Sequence, residues 1–475
     1  MTADTARARA IADRLKRRRV NRFVVTAAQN ATPVHAPFFR ALLRYCRHRH
    51  AEMVVIPYRY RNPTSQWTEN AQEDDWWAPE LVPFLLDTRL TLNDHLLILG
   101  DIKTQPTAVS PLSGFETLTG GRSAIIGHPK LELLTIPTPQ HKLPKVMTTT
   151  GAVTVANYTD TKAGKKGEHH HTFGAAVVEV AGDVFHLRQL NAQTNGEFID
   201  LTERFTSSGV KPAGRAAALV MGDSHIEFID PAVVRATFTA PKSMIKTLKP
   251  RYLVWHDVHD FFSRNHHHRG ECFTNYAKHH AGLDNIERWL DHTFAFIDKH
   301  TPANAKNVFV PSNHPDALLR WLKESDPRDD PENGLFWART YAALLEQTRM
   351  TPSGTAHPDP FVYWAKQKLK TAGQAVFLDR DQSFQVQGIE VGYHGDQGPN
   401  GARGSIRAFG KIGTKTIIGH SHSPGIRDGV YQVGLSARYR LEYNHGPSSW
   451  LHTHCVVYGN GKRSLITIIG NRWRA

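Results

Sequence analysis

Short apolar runs and helix-length amphipathic stretches alternate from the start of the chain's apolar pattern. Phe23-Val24-Val25-Thr26 predicts a buried strand, Phe38, Phe39, Leu42, Leu43 and Cys46 recur at helical spacing, and Met53-Val54-Val55-Ile56 predicts the next strand. Together they make a βαβ unit. Leu96-Leu97-Ile98-Leu99 and Ala124-Ile125-Ile126 continue the strand series, each followed by glycine. The helical period then fades, and β-rich segments such as Ala175-Ala176-Val177-Val178 and Val184-Phe185-His186-Leu187 take over up to about residue 201. Residues 206–214, rich in Ser and Gly, are the best candidate linker. A second alternating series follows, interrupted between residues 326 and 370 by a Pro-punctuated, helix-forming stretch with Trp337, Tyr341, Leu344 and Leu345.

The pattern predicts an α/β protein with a basic arm (1–21), an amino-terminal α/β domain (22–205), a linker (206–215) and a carboxyl-terminal domain (216–475) with a helical insertion at about 326–370. A chain of 475 residues has ample length for two such domains. No apolar run approaches the ~18 residues of a membrane span. The cysteines, Cys46, Cys272 and Cys455, form no CxxC pair, so neither a disulfide framework nor a thiolate zinc site is indicated, and a reducing cytoplasm fits best.

In the second series the strands end in residues of metal-ligand type. Residues 217–221 lead to Gly222-Asp223-Ser224-His225, and residues 252–255 to His256-Asp257. Residues 308–310 lead to Ser312-Asn313-His314, Val391-Gly392-Tyr393 to His394, and residues 416–418 to Gly419-His420-Ser421-His422. Loops leaving the carboxyl ends of strands in an α/β sheet gather on one edge, so these side chains can surround one point. Carboxylate, amide and imidazole donors together suit Mn, Fe or Zn better than Mg or Ca.

This order of motifs, DxH, strand-terminal D, NH, lone H and GHxH, resembles the calcineurin-like metallophosphoesterases over roughly residues 216–470. The resemblance implies two divalent metal ions, Mn2+ first with Fe or Zn as alternatives. Asp223, His225 and His422 would hold one, Asn313, His394 and His420 the other, with Asp257 bridging and His314 unligated beside the leaving group. The sequence departs from the family where Gly usually precedes the bridging Asp and the NH pair: His256 and Ser312 stand there. Pro315 replaces the usual acidic residue after NH, with Asp316 one position later, which weakens the expected support of His314. The loop 395–404 offers backbone N–H groups and Arg403 to a phosphate. His357, His445, His452 and His454 compete with His394 for its role. The runs His169-His170-His171 and His266-His267-His268 are expected to be structural. Gly100-Asp101 and Gly127-His128 mimic the motifs without DxH or NH partners, so the first domain is expected to be non-catalytic.

Charge points to the substrate. The 58 Lys and Arg exceed the 44 Asp and Glu by 14, and the first 22 residues hold eight Arg or Lys against two Asp. Such an excess favours a polyanion, nucleic acid before membrane. Within the superfamily the chain therefore resembles the nucleases of the SbcD type more than the protein phosphatases. The segments Arg22-Phe23-Val24-Val25-Thr26-Ala27-Ala28-Gln29-Asn30 and Ile56-Pro57-Tyr58-Arg59-Tyr60 resemble the early host-DNA-degradation or DNA-transfer proteins of large tailed phages. That resemblance implies a manganese-dependent DNase in the host cytoplasm. An esterase for a small or cyclic nucleotide, and a DNA-binding transfer protein with a structural metal site, are the alternatives. A homo-oligomer is left open.

Overall fold

In the computed structural model, residues 21–60, 76–352 and 354–475 are described, with residues 9–11, 13 and 17 before them. Most of the basic arm therefore lies outside the described residues, but Ile11 is buried in the core with Phe23 and Val25. The βαβ unit is present. Asn21–Gln29 pairs in parallel with Ala51–Tyr58, and the helix Ala36–Arg49 between them buries Phe38, Phe39, Leu42 and Tyr45. The antiparallel pair Gly174–Ala181 and Val184–Asn191 completes a four-stranded sheet.

A six-stranded sheet carries the first three motif strands side by side. Its order is Ala375–Phe377, Lys306–Phe309, Tyr252–Trp255, Ala218–Val220, Thr453–Val457, Arg463–Thr467; the first four are parallel. The strands alternate strictly in what they bury. Leu219, Leu253, Trp255 and Phe309 face a helical layer with Leu290, Phe294, Leu318 and Trp321. Val220, Val254 and Val308 face a second core with Ile389, Ile417, Ile426 and Tyr431.

Those last residues belong to a ten-stranded sheet that joins both halves of the sequence. One end contains Ile389–Glu390, Thr416–Ile418 and Val430–Gln432; beyond Gly425–Arg427 it continues into Leu133–Ile136, Lys145–Thr149, Ser123–Ile126 and Leu96–Leu99. The junction is the antiparallel bridge of Ile426 with Leu133, flanked by Lys130 Nζ–Asp428 Oδ1 at 2.7 Å and Arg427 Nη1–Glu132 Oε1 at 3.4 Å. A second junction ties the four-stranded sheet to Arg463–Thr467: Gln189 N donates to Ser464 Oγ and Leu465 N donates to Gln189 Oε1, both at 3.1 Å.

Two local expectations are corrected. The expected linker contains the strand Val210–Pro212, which closes a small sheet with Glu203–Phe205 and Phe198–Asp200. Val391-Gly392-Tyr393 is not a strand, because the ladder ends at Ile389–Glu390. There the Glu390 carboxylate accepts from Gly392 N (2.7 Å) and Phe384 N (3.0 Å), diverting two N–H groups from strand pairing. The stretch 326–370 contains the helices Gly334–Gln347 and Pro360–Lys368 with a hairpin of Arg349–Thr351 and Gly354–Ala356 between them. Among the described residues no helix is long and apolar enough to cross a membrane.

Candidate metal centre

The motif strands of the two sheets deliver their polar ends to one place. Asp223, His225, Asp257 and His422, all buried, offer ligand atoms within 4.8 Å of one another. Asp257, His394 and His420 do the same, so Asp257 belongs to both groups. Asp223 Oδ2 lies 3.2 Å from His422 Nε2, His225 Nε2 lies 3.1 Å from His422 Nε2, and His394 Nε2 lies 3.0 Å from Asp257 Oδ2.

The donor set fits cations better than it fits hydrogen bonding. Both oxygens of Asp223, Oδ2 of Asp257, Nε2 of His394 and Nδ1 of His422 are buried and carry no aligned hydrogen bond. An uncompensated buried carboxylate costs several kcal/mol, roughly, unless a cation meets it. The backbone is bent to present these groups: His225, Asp257, His420 and His422 have φ of 37°, 38°, 74° and 59°. Left-handed backbone at non-glycine residues costs about 1–3 kcal/mol each and is retained where function needs the direction. Gly419 has a related cause, since a Cβ there would stand 2.2 Å from Asp223 Oδ1.

The charges are mutually adjusted. Burial pushes the carboxyl groups of Asp223 and Asp257 up, but the imidazoles around them, His394 first, outweigh it and both end below the ordinary range. Burial pushes His394 down, and the Asp257 and Asp223 carboxylates raise it to about 9. His225 is likewise lowered by burial and lifted to about 9, chiefly by the Asp260 carboxylate beside it. His420 and His422, lowered by burial, favour the neutral form that binds metal.

Asn313 and His314 open the helix Asn313–Glu324. The His314 N–H points at Asp257 Oδ1 from 3.4 Å, and its ring Nδ1 is 3.0 Å from the Asp260 carbonyl and 3.4 Å from Asp260 Oδ2. Asn313 is exposed, and its side chain makes no hydrogen bond among the described residues. Arg403 is exposed on a turn closed by Gly404 N donating to Asp396 O, and among the described residues no contact ties it to the cluster.

Sequence reasoning missed Asp260. It backs both His225, with Oδ2 3.0 Å from Nδ1, and His314, while the anticipated Asp316 instead pairs with Arg380. The spacing His256-Asp257-Val258-His259-Asp260, a second acid three residues after the first, was the available signal. Arg380 also forks onto Asp396 at 2.7 and 2.8 Å, tying the His314 helix to the loop after His394. His256, in the place of the usual glycine, is buried with Nδ1 3.3 Å from His394 Nδ1, and burial lowers it to about 4.

Several other histidines have other work. His454 Nδ1 accepts from Gly222 N at 2.9 Å and its Nε2 meets Thr237 Oγ1, so it supports the loop of Asp223; His452 Nε2 donates to Ala437 O. His357 contacts Pro358 O and Lys323. His171 bonds Tyr158 and Thr154, and His268 pairs with Glu442. In the first half, Asp101 pairs with Arg89 and His128 is buried against Gln105 and Lys130.

No protein-family model matches the chain. It is 34% identical over 459 residues to protein A1 of Escherichia phage T5, an alignment covering 94% of this chain and 81% of that protein.

Proposed function

The chain belongs to the family of phage T5 protein A1, and from its paired Asp/His centre we propose that it is a metal-dependent nuclease that hydrolyses DNA phosphodiester bonds. The observation that carries this reading is Asp257, among the described residues the one carboxylate common to two adjoining ligand groups. Asp223, His225, Asp257 and His422 would hold one divalent cation and Asp257, His394 and His420 the other. Such a pair supplies Lewis acidity, activating water and neutralising phosphate oxygens for in-line displacement. Manganese suits the mixed oxygen and nitrogen donors.

The protein's own residues do the rest. Asp223 and Asp257 are held as carboxylates by the imidazoles around them, ready to meet a cation. His225 is aimed by Asp260 behind it, an arrangement that fixes ring orientation and strengthens a ligating imidazole. His314, with Nδ1 donating to the Asp260 carbonyl, keeps Nε2 free of that bond, and as the imidazolium it would pass the Nε2 proton to the departing oxygen and be left neutral. The exposed cationic excess gathers the polyanion. The phage relative supports the narrower reading, that the DNA is a host's and the enzyme works in the host cytoplasm.

A second reading has its own observation: a cleft of about 570 Å³ beside His394, lined by Tyr393, Phe409 and Arg380 among others, has room for a small nucleotide. One experiment separates them. Plasmid, linear DNA, RNA and bis(p-nitrophenyl) phosphate are incubated with Mn2+ and with chelator. DNA cleavage that requires metal supports the nuclease; turnover of the small diester without cleavage of any DNA supports the second reading; binding of DNA without turnover of either overturns both.

A further inference from the structure

Two aromatic rings stand at the edge of the candidate centre without being ligands. Trp450 lies edge-on to His422, ring centroids 4.3 Å apart, and Tyr443 is 5.7 Å from Trp450 and 6.3 Å from His314. Trp450 is half-buried on a small apolar cluster with Leu435 and Leu441, whereas Tyr443 is 49% exposed. Tyr443 is a large aromatic at the mouth of a buried polar cluster, with its hydroxyl unbonded among the described residues and half its surface left to solvent. It offers a flat apolar face one ring away from the group assigned to the leaving oxygen.

The loop that carries it is held in place. Asn444 N donates to Leu441 O and Asn444 Nδ2 to Tyr439 O, at 3.0 and 2.9 Å. The amino-terminal half then clamps it: Thr138 and Ser448 exchange backbone hydrogen bonds of 3.0 and 2.8 Å, and Gln140 Nε2 donates to Asn444 O at 2.7 Å. An exposed ring on a pinned loop is pre-organised, so stacking on it loses little additional conformational entropy.

We propose that Tyr443, backed by Trp450, is a stacking platform for an unpaired nucleobase on the leaving side of the scissile phosphate, and that the amino-terminal half serves the reaction by clamping this platform. The inference rests on the phosphodiesterase reading and narrows it to substrates with a base free to leave the duplex stack. Every base presents a π-face, so such a platform selects unpaired nucleotides without reading sequence. Its place beside His314 sets the side of the phosphate on which the base lies.

The test uses the full chain and two readouts. In chelator, a short single-stranded oligonucleotide containing 2-aminopurine is titrated with wild type, Tyr443→Phe and Tyr443→Ala; stacking quenches the probe. With Mn2+, kcat/KM is compared for base-bearing oligonucleotides and for ones with an abasic residue on the leaving side. The platform predicts quenching in wild type and Tyr443→Phe, its loss in Tyr443→Ala, and a preference for the base-bearing substrate that falls about tenfold or more in Tyr443→Ala. Equal quenching in all three proteins overturns the proposal, as does an unchanged preference. If wild type cleaves neither substrate, the phosphodiesterase reading fails by itself, and the quenching still decides whether the ring binds a base. A Gln140→Ala variant that leaves quenching intact removes the clamp from the proposal.

Discussion

Asp260 Oδ2 lies 3.0 Å from Nδ1 of His225, on the far side of a ring whose Nε2 faces His422 Nε2 at 3.1 Å. A carboxylate behind an imidazole fixes its tautomer and raises its basicity toward a metal. Replacing Asp260 with Asn should therefore weaken Mn2+ binding by about 10–100-fold while the far-ultraviolet circular dichroism stays unchanged. Isothermal titration with Mn2+ measures it, and an undiminished affinity would show that Asp260 serves His314 alone.

Asp257 and His314 are expected to fail differently. Asp257→Asn keeps the volume but removes the negative charge common to both ligand groups, so bound metal should fall below two ions per chain and DNA cleavage should be lost. His314→Ala should keep its metal and lose about 10²–10⁴-fold in rate, the range for a proton donor in the transition state. Elemental analysis paired with cleavage rates distinguishes the two. Metal that disappears from His314→Ala would make His314 a ligand.

The strands of the metal motifs were legible because each is a short apolar run ending in a hydrogen-bonding residue, and the alternation of Val220 with Leu219 follows directly from two buried faces. The order of the clustered residues Asp223, His225, Asp257, His394, His420 and His422 was legible for the same reason. Asp260 escaped because no strand precedes it; it sits in a turn, and only its distance from Asp257 in the sequence hinted at a role. The sharing of one sheet by Leu133 and Ile426 was out of reach, since a single bridge between residues 293 positions apart leaves no periodic trace. The shortened strand before His394 reflects a side-chain effect, Glu390 capping nearby N–H groups, which apolar patterning does not register.

Because of that shared sheet, the two halves are not expected to separate. Residues 216–475 alone would expose the edge of Gly425–Arg427 and leave the Arg427 side chain without Glu132. Unpaired edges of this kind drive aggregation. The fragment should be insoluble or melt well below the full chain, and co-expression with residues 1–215 should restore a soluble complex. A fragment that is monomeric and melts with the full chain's transition would count against the interlock.

The amino-terminal half should have an acid-sensitive point of its own. Arg188 donates to Asp200 through Nε at 2.6 Å and through Nη2 at 2.8 Å, and Tyr45 donates to the same carboxylate at 2.8 Å. Burial pushes Asp200 up, Arg188 outweighs it, and the carboxyl ends below its ordinary value. A depressed acid contributes stability that is present above its unfolded pKa of about 3.9 and lost as pH falls through the folded value. Asp200→Ala leaves the buried guanidinium with Glu179, 3.2 Å away, as its anionic partner and should cost up to roughly 3–5 kcal/mol at neutral pH. Urea unfolding at pH 7 and at pH 3 should show the gap between wild type and variant narrowing in acid; a constant gap would place the acid lability elsewhere.

The burial of Ile11 decides how a role for the basic arm can be tested. Deleting residues 1–20 would remove Ile11 from a core that also holds Phe23 and Val25, confounding binding with stability. Arg14, Lys16, Arg17, Arg18 and Arg19 are better exchanged for Gln in the full chain. Each DNA phosphate that a side chain ceases to neutralise flattens the plot of log affinity against log salt by about 0.9, so an arm that engages the duplex through all five should lower the slope by ~4.5. Turnover of bis(p-nitrophenyl) phosphate should not change, because that substrate offers no backbone for the arm to follow. Affinity for a long duplex at several salt concentrations decides it. An unchanged slope would assign the gathering of DNA to the folded sheets and leave the arm no part in it.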